Sequence, residues 1–296
     1  MGRREKMEDN LKDNLKEYQE YLLKMLLAFD AFCREQKLQY FLAGGSALGA
    51  VRHQGFIPWD DDIDLAMLRP DFERLERLLA QQDNRIGQYA YSPVQDQIVP
   101  DAPIGHLFYL PGADAKNDPK HAHLPYAMAD APMLDIHPID GIPKSGIMKK
   151  LQRFLAIVHY MAVYRLPTKN KGRAAHLISG ILVKITPGFM FDFYATVSRR
   201  LISAWNADRS EFVCSLFGLA GYDREVMRKE LLLPYKMVPF EGHMLPVPAR
   251  EREYLDRLYG NFEQLPPEAD RKPKHTGYRR FMEALHAADR DAATGN

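Results

Sequence analysis

The sequence has little cysteine and almost no net charge. Only Cys33 and Cys214 occur among its 296 residues, and neither belongs to a C-x-x-C pair. We therefore predict two buried thiols in a reducing compartment, and not a disulfide framework or a zinc site. The formal net charge is +1, which gives the whole chain no electrostatic preference for nucleic acid. We expect no nucleic-acid partner.

Long apolar runs are also missing. The most apolar segment, residues 176–194, is interrupted by Lys184 and Pro187, and a membrane-spanning helix needs about 20 apolar residues. The N-terminal segment carries charges of both signs and lacks the apolar core of a signal peptide. These patterns predict a cytoplasmic protein. Location at the inner face of the membrane is the alternative.

Hydrophobic periodicity predicts alternating helices and short strands in the first half of the chain. Apolar residues at steps of three and four predict helices at 11–36, at 46–53 with Ser46 as the cap, and from Pro70 onward. Short apolar or alternating runs predict strands at 37–44, 61–67, 88–93, 105–110 and 131–137. This order indicates an α+β (mixed α/β) fold, in which helices flank a mixed sheet.

The second half predicts a helical, locally basic insert over residues 147–210. Its apolar residues are interpreted as mostly core: Leu155, Ile157, Val158, Met161, Ile178, Leu182 and Ile185. Its basic residues are interpreted as a solvated face, with peripheral docking on an anionic membrane as the alternative: Lys149, Lys150, Lys169, Lys171 and Arg173.

We thus divide the chain into five parts. An N-terminal helix (1–36) precedes a catalytic core (37–146), the helical insert (147–210) and a C-terminal α/β part (211–270) that completes the domain. Residues 271–296 are charged and rich in small residues, and are expected to be mostly disordered.

Four aspartates occur within five residues, at positions 60, 61, 62 and 64. Because side chains alternate along a strand, Asp62 and Asp64 are expected on one face, while Ile63 and Leu65 face the core. Two neighbouring carboxylates that both stay ionised favour a cation between them. The expected metal is Mg²⁺, with Mn²⁺ as the alternative.

This cluster has two simpler interpretations. One is a solvated acidic turn. The other is an EF-hand calcium loop, but Leu65 stands where that loop needs glycine and Asp71 where it needs glutamate. The calcium loop is therefore disfavoured.

A glycine turn precedes the aspartates. Gly44, Gly45 and Ser46 lie between the predicted strand and the short helix, an arrangement that presents backbone N–H groups and a helix N-terminus to an anion such as phosphate. By itself the turn is a weak signal. Followed by the aspartate strand, it predicts a phosphate site beside a metal site.

The stretch GGSALGAVRHQGFIPWDDDIDLAM, residues 44–67, resembles the signature of the LicD/fukutin family, within the nucleotidyltransferase fold shared by DNA polymerase β. MLDIHPIDGIP, from Met133, resembles the family's strand with a third aspartate, here Asp135, and residues 240–267 resemble its C-terminal block. His137 and His243 depart from the family pattern. The polar–apolar alternation in this second segment independently places Asp135 on an outward face of its strand. The alternative is that Asp135 is an ordinary aspartate at the end of a strand, without a role in the site.

The resemblance implies a nucleotidyltransferase-like fold and a metal-dependent phosphotransferase. The donor would be a CDP-activated alcohol such as CDP-choline, the acceptor a hydroxyl of a glycan or lipid-linked saccharide (as in lipopolysaccharide or teichoic acid modification), and the leaving group CMP. Asp62, Asp64 and Asp135 would be catalytic and hold the metal. Gly44, Gly45 and Ser46 would hold donor phosphates.

Several neighbouring residues are further candidates. Arg52 and His53 are expected to contact donor phosphate or to pair with carboxylates. Asp60, Asp61 and Trp59 are expected to lie next to the metal-binding residues without binding the metal. Packing is the simpler role for Trp59. His121 and His123 form an H-x-H, which is a poor zinc signal without further ligands.

Two other functions stay open at this point. One is a nucleotidyltransferase that passes a nucleoside monophosphate from an NTP to a small molecule. The other is a non-catalytic member of the fold that binds a glycan or a partner. The sequence names neither the alcohol nor the acceptor.

Overall fold

The computed structural model describes residues 2–93, 104–109, 130–167, 173–205, 207–216, 218, 222–275 and 277–294. Among the residues named above, His121, His123, Lys169 and Lys171 lie outside this described part of the chain.

The helices and strands follow one another in mixed order. The helices are α1 (Gly2–Glu35), α2 (Gly44–His53), α3 (Arg69–Ala80), α4 (Gly146–Tyr164), α5 (Arg173–Ile185), α6 (Gly188–Ile202), α7 (Tyr222–Glu225), α8 (Glu251–Tyr259) and α9 (Gly277–Thr294). The strands are β1 (Phe41–Leu42), β2 (Ile63–Leu68), β3 (Arg85–Ile86), β4 (Tyr89–Ser92), β5 (Gly105–Tyr109), β6 (Met133–Gly141), β7 (Phe212–Cys214), β8 (Met227–Arg228), β9 (Lys236–Phe240) and β10 (His243–Val247).

A mixed sheet forms the centre of the described structure. Its main path runs β1-β2-β6-β5-β4-β3, while β7 pairs with β6 and with β8. The β2–β6 pair is parallel and its other pairings are antiparallel. Helices flank this sheet, so the predicted α+β class is confirmed.

The core is built where the helices, including α1 and α9, pack on the central sheet. The apolar stripe of α1 is buried as its spacing predicts, including Leu22, Met25 and Phe29. Five of the six β2 residues are buried, which is typical of a central strand covered on both faces. The main hydrophobic cluster extends from Leu15 to Leu285.

Helix α2 begins two residues earlier than predicted, at Gly44, and Ser46 is not its cap. The residue before the helix is Ala43, which makes no side-chain cap. The hydroxyl of Ser46 instead accepts the backbone N–H of Asp64 at 2.9 Å. Ser46 thus contacts strand β2 and does not cap its own helix. Local sequence patterns do not reveal such a contact.

The C-terminal segment corrects another prediction. Residues 271–296 were expected to be mostly disordered, but α9 occupies Gly277–Thr294. Its Tyr278, Phe281 and Met282 are buried, and Tyr18 of α1 contacts the first two of these rings. The apolar residues of this segment thus belong to the core, although charged residues dominate its composition.

The helical insert contains α4, α5 and α6. His159 and Gln152 of α4 contact Ser198 and the carbonyl of Ile202 on α6, so these two helices pack against each other. The prediction that the insert's apolar residues are mostly core is wrong for Ile178, Leu182 and Ile185, which are all exposed.

None of the described helices is, alone, both long and apolar enough to cross a bilayer. The pair His176–Ile185 and Gly188–Arg209, bent by 120°, has the length and composition of a broken span.

Candidate active site

The parallel β2–β6 pair brings two of the predicted carboxylates together. Asp64 lies opposite Asp135 in the register, and Ala66 lies opposite His137. Ligand atoms of Asp64, Asp135 and His137 all lie within 4.8 Å of one another. Adjacent strands therefore create this cluster from residues about 70 positions apart.

The glycine turn lets the start of α2 approach these carboxylates closely. Gly44 has a φ of +48°, and a Cβ atom there would lie 2.8 Å from Oδ2 of Asp64; a Cβ on Gly45 would lie 2.9 Å from Oδ2 of Asp60. Only glycine fits both the backbone conformation of Gly44 and the space beside it.

The N–H groups at the start of α2 already have partners within the protein. Gly44 donates to the hydroxyl of Tyr254 at 3.1 Å, and Gly45 donates to the carboxylate of Asp64. The Asp64 side chain thus lies at the positive end of α2, where a negative charge is favourable. That these glycines also contact donor phosphate stays a prediction.

His137 pairs with Asp64 at 3.2 Å. Burial alone raises the pKa of Asp64, but the hydrogen bond and charge of His137 outweigh it and lower this pKa below its ordinary value. The effect on His137 is the opposite: burial lowers its pKa, while the bond and charge of Asp64 raise it above the ordinary value. Each group therefore stabilises the charged form of the other.

His106 orients the second carboxylate. It lies opposite Asp135 in the β5–β6 register, and its Nδ1 is 2.9 Å from Oδ1 of Asp135. The His106 ring is buried, so this contact fixes the rotamer of Asp135 from inside the sheet. No local sequence pattern identifies His106 as a site residue.

The remaining aspartates form a second acidic group beside the first. Strand β2 begins at Ile63, so Asp62 precedes it, and its ligand atoms cluster with those of Asp61 and His275. Burial, followed by the charges of Asp64 and Asp60, raises the pKa of Asp62 well above its ordinary value. Its Oδ1 atom is buried, and no hydrogen-bond partner lies among the described residues.

Lys274 places a positive charge in this acidic group. Its Nζ lies 3.6 Å from Oδ2 of Asp62 and 3.8 Å from Oδ1 of Asp60. Burial raises the pKa of Asp60 to about 6, although the charge of Lys274 opposes that rise. Next to it, the backbone N–H of His275 donates to Asp61 at 2.9 Å.

A cavity of about 320 Å³ opens onto the Asp64 end of this arrangement. It is lined by side chains from the start of α2, from β6, from α8 and from the segment around β7; those with polar groups include Asp64, His137, Glu225, Tyr259 and Lys274. A cavity of this size accommodates a small ligand or part of a nucleotide.

Arg52, His53 and Trp59 lie apart from the cavity. Arg52 and His53 occupy the last turn of α2, about 12 Å along the helix from Gly44, and Arg52 donates to the carbonyl of Phe262 at 2.7 Å. The rings of Trp59 and His53 meet edge to face, and the Arg271 guanidinium lies over the Trp59 ring. Their proposed contact with donor phosphate has no geometric support among the described residues.

The same segment of the chain matches a known family. Residues 37–99 match the family model "LicD/FKTN/FKRP, nucleotidyltransferase domain". This segment of the chain is therefore similar to the nucleotidyltransferase domain of the LicD family. The matched region holds the glycine turn and all four clustered aspartates, so the resemblance inferred from the sequence is confirmed.

Individual relatives extend the similarity beyond the LicD domain. The lipopolysaccharide cholinephosphotransferase LicD of Haemophilus influenzae is 28% identical over 273 residues, which cover 88% of this chain and 96% of that protein. The ribitol 5-phosphate transferases FKRP of mouse and human are 49% identical over 41 residues, which cover 14% of this chain and 8% of theirs.

The residues at the site fit a divalent cation. Carboxylate oxygens of Asp64 and Asp135, which cluster with His137, are the hard ligands that Mg²⁺ prefers, and the imidazole of His137 suits Mn²⁺ better than Mg²⁺. Asp62 belongs to the neighbouring acidic group. The buried oxygen of Asp62 that has no described partner is the kind of atom that such an ion satisfies.

Local patterns do not identify Lys274, His275 or Tyr254 as site residues. Each lies about 210 positions after the group that it contacts. His137 was noticed only as a departure from the family pattern, and its alternation with Ile136 was the available signal.

Proposed function

We propose that this protein is a metal-dependent phosphotransferase that moves a phospho-alcohol from a CDP-activated donor to a hydroxyl of a glycan, with release of CMP. The best support is the alignment of Asp64 with Asp135 beside the start of α2. The cavity at this point takes a ligand of the size of a phospho-alcohol. The name of the Haemophilus influenzae relative, a cholinephosphotransferase, makes CDP-choline the first donor to test.

Asp62, Asp64 and Asp135 would hold the metal in this proposal. When bound, Mg²⁺ or Mn²⁺ supplies positive charge that neutralises the donor diphosphate and the charge developing on the leaving phosphate. Lys274 also lines the cavity and lies beside Asp62. It would supply a second positive charge to the donor phosphates. The start of α2 adds the positive end of a helix dipole.

Asp135 would accept the acceptor's proton. Its Oδ1 lies 2.9 Å from Nδ1 of His106, so the second carboxylate oxygen would take this role. The acceptor hydroxyl oxygen forms a bond to the distal phosphorus, the bond from that phosphorus to the bridging oxygen breaks, and CMP leaves with the bonding electrons. The hydroxyl proton passes to the carboxylate of Asp135.

Product analysis tests this proposal. The full chain is incubated with Mg²⁺ or Mn²⁺, a glycan acceptor, and CDP-choline, CDP-ribitol, CDP-glycerol or an NTP. The expected products are CMP and a phospho-alcohol attached to the acceptor, and Asp64→Asn should slow their formation about a thousandfold. Release of pyrophosphate with a nucleotidylated product would instead identify a nucleotidyltransferase.

The non-catalytic alternative has its own outcome. A protein that binds glycan but neither binds nor consumes any of these nucleotides, with or without a divalent cation, would be a binding member of the fold. Asp64→Asn would then leave glycan binding unchanged.

A further inference from the structure

The exposed apolar side chains of this protein are concentrated in the helical insert. Seventeen large hydrophobic residues are exposed among the described residues, and thirteen of them lie between 147 and 201. A typical soluble monomer scatters such residues singly, whereas a concentrated apolar surface indicates an interaction site. This surface, the exposed apolar residues of α4, α5 and α6, is called the insert face below.

The insert face follows helical spacing. On α4 its members are Ile147, Leu151 and Phe154; on α5 they include Leu177, Ile181 and Ile185; on α6 they include Phe189, Phe193 and Val197. Steps of three and four place each set on one side of its helix. Ile147, Ile185 and Phe189 are 79%, 68% and 77% exposed, so these stripes face outward from the core.

Positive charge is concentrated in the same segment. Residues 147–210 contain 11 Lys and Arg and two acidic residues, Asp192 and Asp208, for a net charge of +9. The rest of the chain then contains 29 of the 40 basic and 37 of the 39 acidic residues, for a net charge of −8. The near-zero total therefore hides a strongly positive insert on a negative body.

We propose that the insert face docks on an anionic lipid surface. Apolar side chains that enter the interface, surrounded by Lys and Arg that meet the lipid headgroups, are the features of interfacial helices. A second copy of the chain that docks through the same face is a poorer occupant, because it would bring two inserts of net charge +9 together. Helix α5, with 13 residues, is about 20 Å long, which suits a helix lying along the interface.

The insert face is joined to the candidate active site. Lys149 lies over the ring of Phe212 at 5.4 Å, and Arg153 lies over the ring of Tyr222 at 5.2 Å. Phe212 begins β7, whose Val213 and Cys214 line the cavity. Given the proposed function, docking would place the cavity beside the membrane and favour an acceptor saccharide carried on a lipid.

Vesicle flotation with the full chain tests this proposal. The probes are vesicles of phosphatidylcholine alone and of phosphatidylcholine mixed with phosphatidylglycerol. We expect binding to the anionic vesicles that weakens as salt increases, and at least tenfold weaker binding to the neutral ones. No binding to either vesicle, or equal and salt-independent binding to both, would overturn the proposal.

Matched variants identify the surface responsible. Phe189→Ser with Phe193→Ser should weaken anionic-vesicle binding at least tenfold, whereas Met237→Ser with Met244→Ser, exposed residues outside the insert, should not. Lys184→Gln with Arg200→Gln should weaken binding about tenfold, and Lys24→Gln with Lys37→Gln should leave it unchanged. Equal loss in the insert and control variants would overturn the assignment of the face.

Two further measurements separate the possible failures. If the wild type is a dimer by light scattering and the Phe189/Phe193 variant is a monomer, a second copy occupies the face and the lipid proposal is wrong. Vesicle binding needs neither metal nor donor, so a protein that binds vesicles but turns over no CDP-alcohol retains the membrane proposal and loses the proposed function. A protein that turns over a soluble acceptor but binds no vesicles retains the proposed function and loses the membrane proposal.

Discussion

At the scale of single residues, alternation and spacing predicted part of the candidate site. The polar–apolar alternation in two short segments is sufficient to place Asp64 and Asp135 on outward faces, and parallel pairing then aligns them. Asp62 departs from this pattern because β2 begins one residue later. Lys274 and His106 could not be predicted, since tertiary contacts with distant segments bring them to the aspartates.

The backbone of Gly44 gives a prediction at this scale. Gly44→Ala adds a Cβ at a φ of +48°, 2.8 Å from Oδ2 of Asp64. The strained backbone and the displaced carboxylate should together lower the free energy of unfolding by about 1–3 kcal/mol, as measured by urea denaturation. Turnover should also fall, because Asp64 moves.

Gly146→Ala is the matched control. Gly146 begins α4, and a Cβ there meets nothing within 4 Å. We expect a change within about 0.5 kcal/mol. Equal destabilisation of the two variants would show that the close approach of Gly44 to Asp64 has no energetic importance.

At the scale of elements, periodicity located the main helices and strands, but it did not identify which polar residues join them. Asp140, which directly precedes Gly141, is an example. Asp140 lies within β6, is fully buried, and accepts two hydrogen bonds of 2.7 Å from Arg69 at the start of α3. A polar residue near a glycine is typical of turns, and only the fold reveals its partner.

The Arg69–Asp140 pair should stabilise the packing of α3 on β6. Asp140→Ala leaves a buried guanidinium without its partner, which should lower the free energy of unfolding by about 3–5 kcal/mol. The comparison is Glu263→Ala, which breaks the exposed ion pair with Arg252 and should cost less than about 1 kcal/mol. Similar losses in the two variants would contradict this role for Asp140.

The α4–α6 contact gives a pH-dependent prediction. His159 of α4 is buried against Ala195 and Ser198 of α6. Burial, with a smaller contribution from the charges of Arg199 and Arg69, lowers its pKa to about 4, despite the opposing hydrogen bond to Ala195. The unfolded chain, with a pKa near 6.5 at this residue, therefore binds more protons than the folded chain between these values.

The free energy of unfolding should accordingly decrease as pH falls from about 6.5 to about 4. The contribution of His159 to this decrease is about 3 kcal/mol at most. Urea denaturation of the wild type and of His159→Gln across this pH range measures the contribution of His159, because the variant lacks the titrating group. Parallel stability curves for the two proteins would contradict the buried, neutral state of His159.

At the scale of the whole molecule, composition was the least reliable guide. The charged tail was expected to be disordered, yet α9 packs its apolar side on α1, and the segment just before α9 supplies Lys274 and His275 to the site. Total net charge was equally uninformative, because a positive insert and a negative body cancel. The division of the chain at residues 146 and 210 stays a prediction.

The packing of α9 can be tested with one aromatic residue. Phe281 is fully buried and contacts Tyr18, Tyr21 and Tyr109. Phe281→Ala should lower the free energy of unfolding by about 3–5 kcal/mol, measured by urea denaturation. Met244→Ala, at a residue 52% exposed, should change the free energy of unfolding by less than about 1 kcal/mol. Similar losses in the two variants would contradict the packing of α9 on the core.

The most direct test of the proposed metal site is a calorimetric titration of Mn²⁺ into the protein in the presence of CDP. Wild type and Asp256→Asn, an exposed aspartate on α8, should bind Mn²⁺ with the same affinity. Asp64→Asn and Asp135→Asn should each weaken binding by about a hundredfold or more, with unchanged far-ultraviolet circular dichroism. Mn²⁺ affinity that is the same in all four proteins would contradict a metal site formed by the aligned aspartates of β2 and β6.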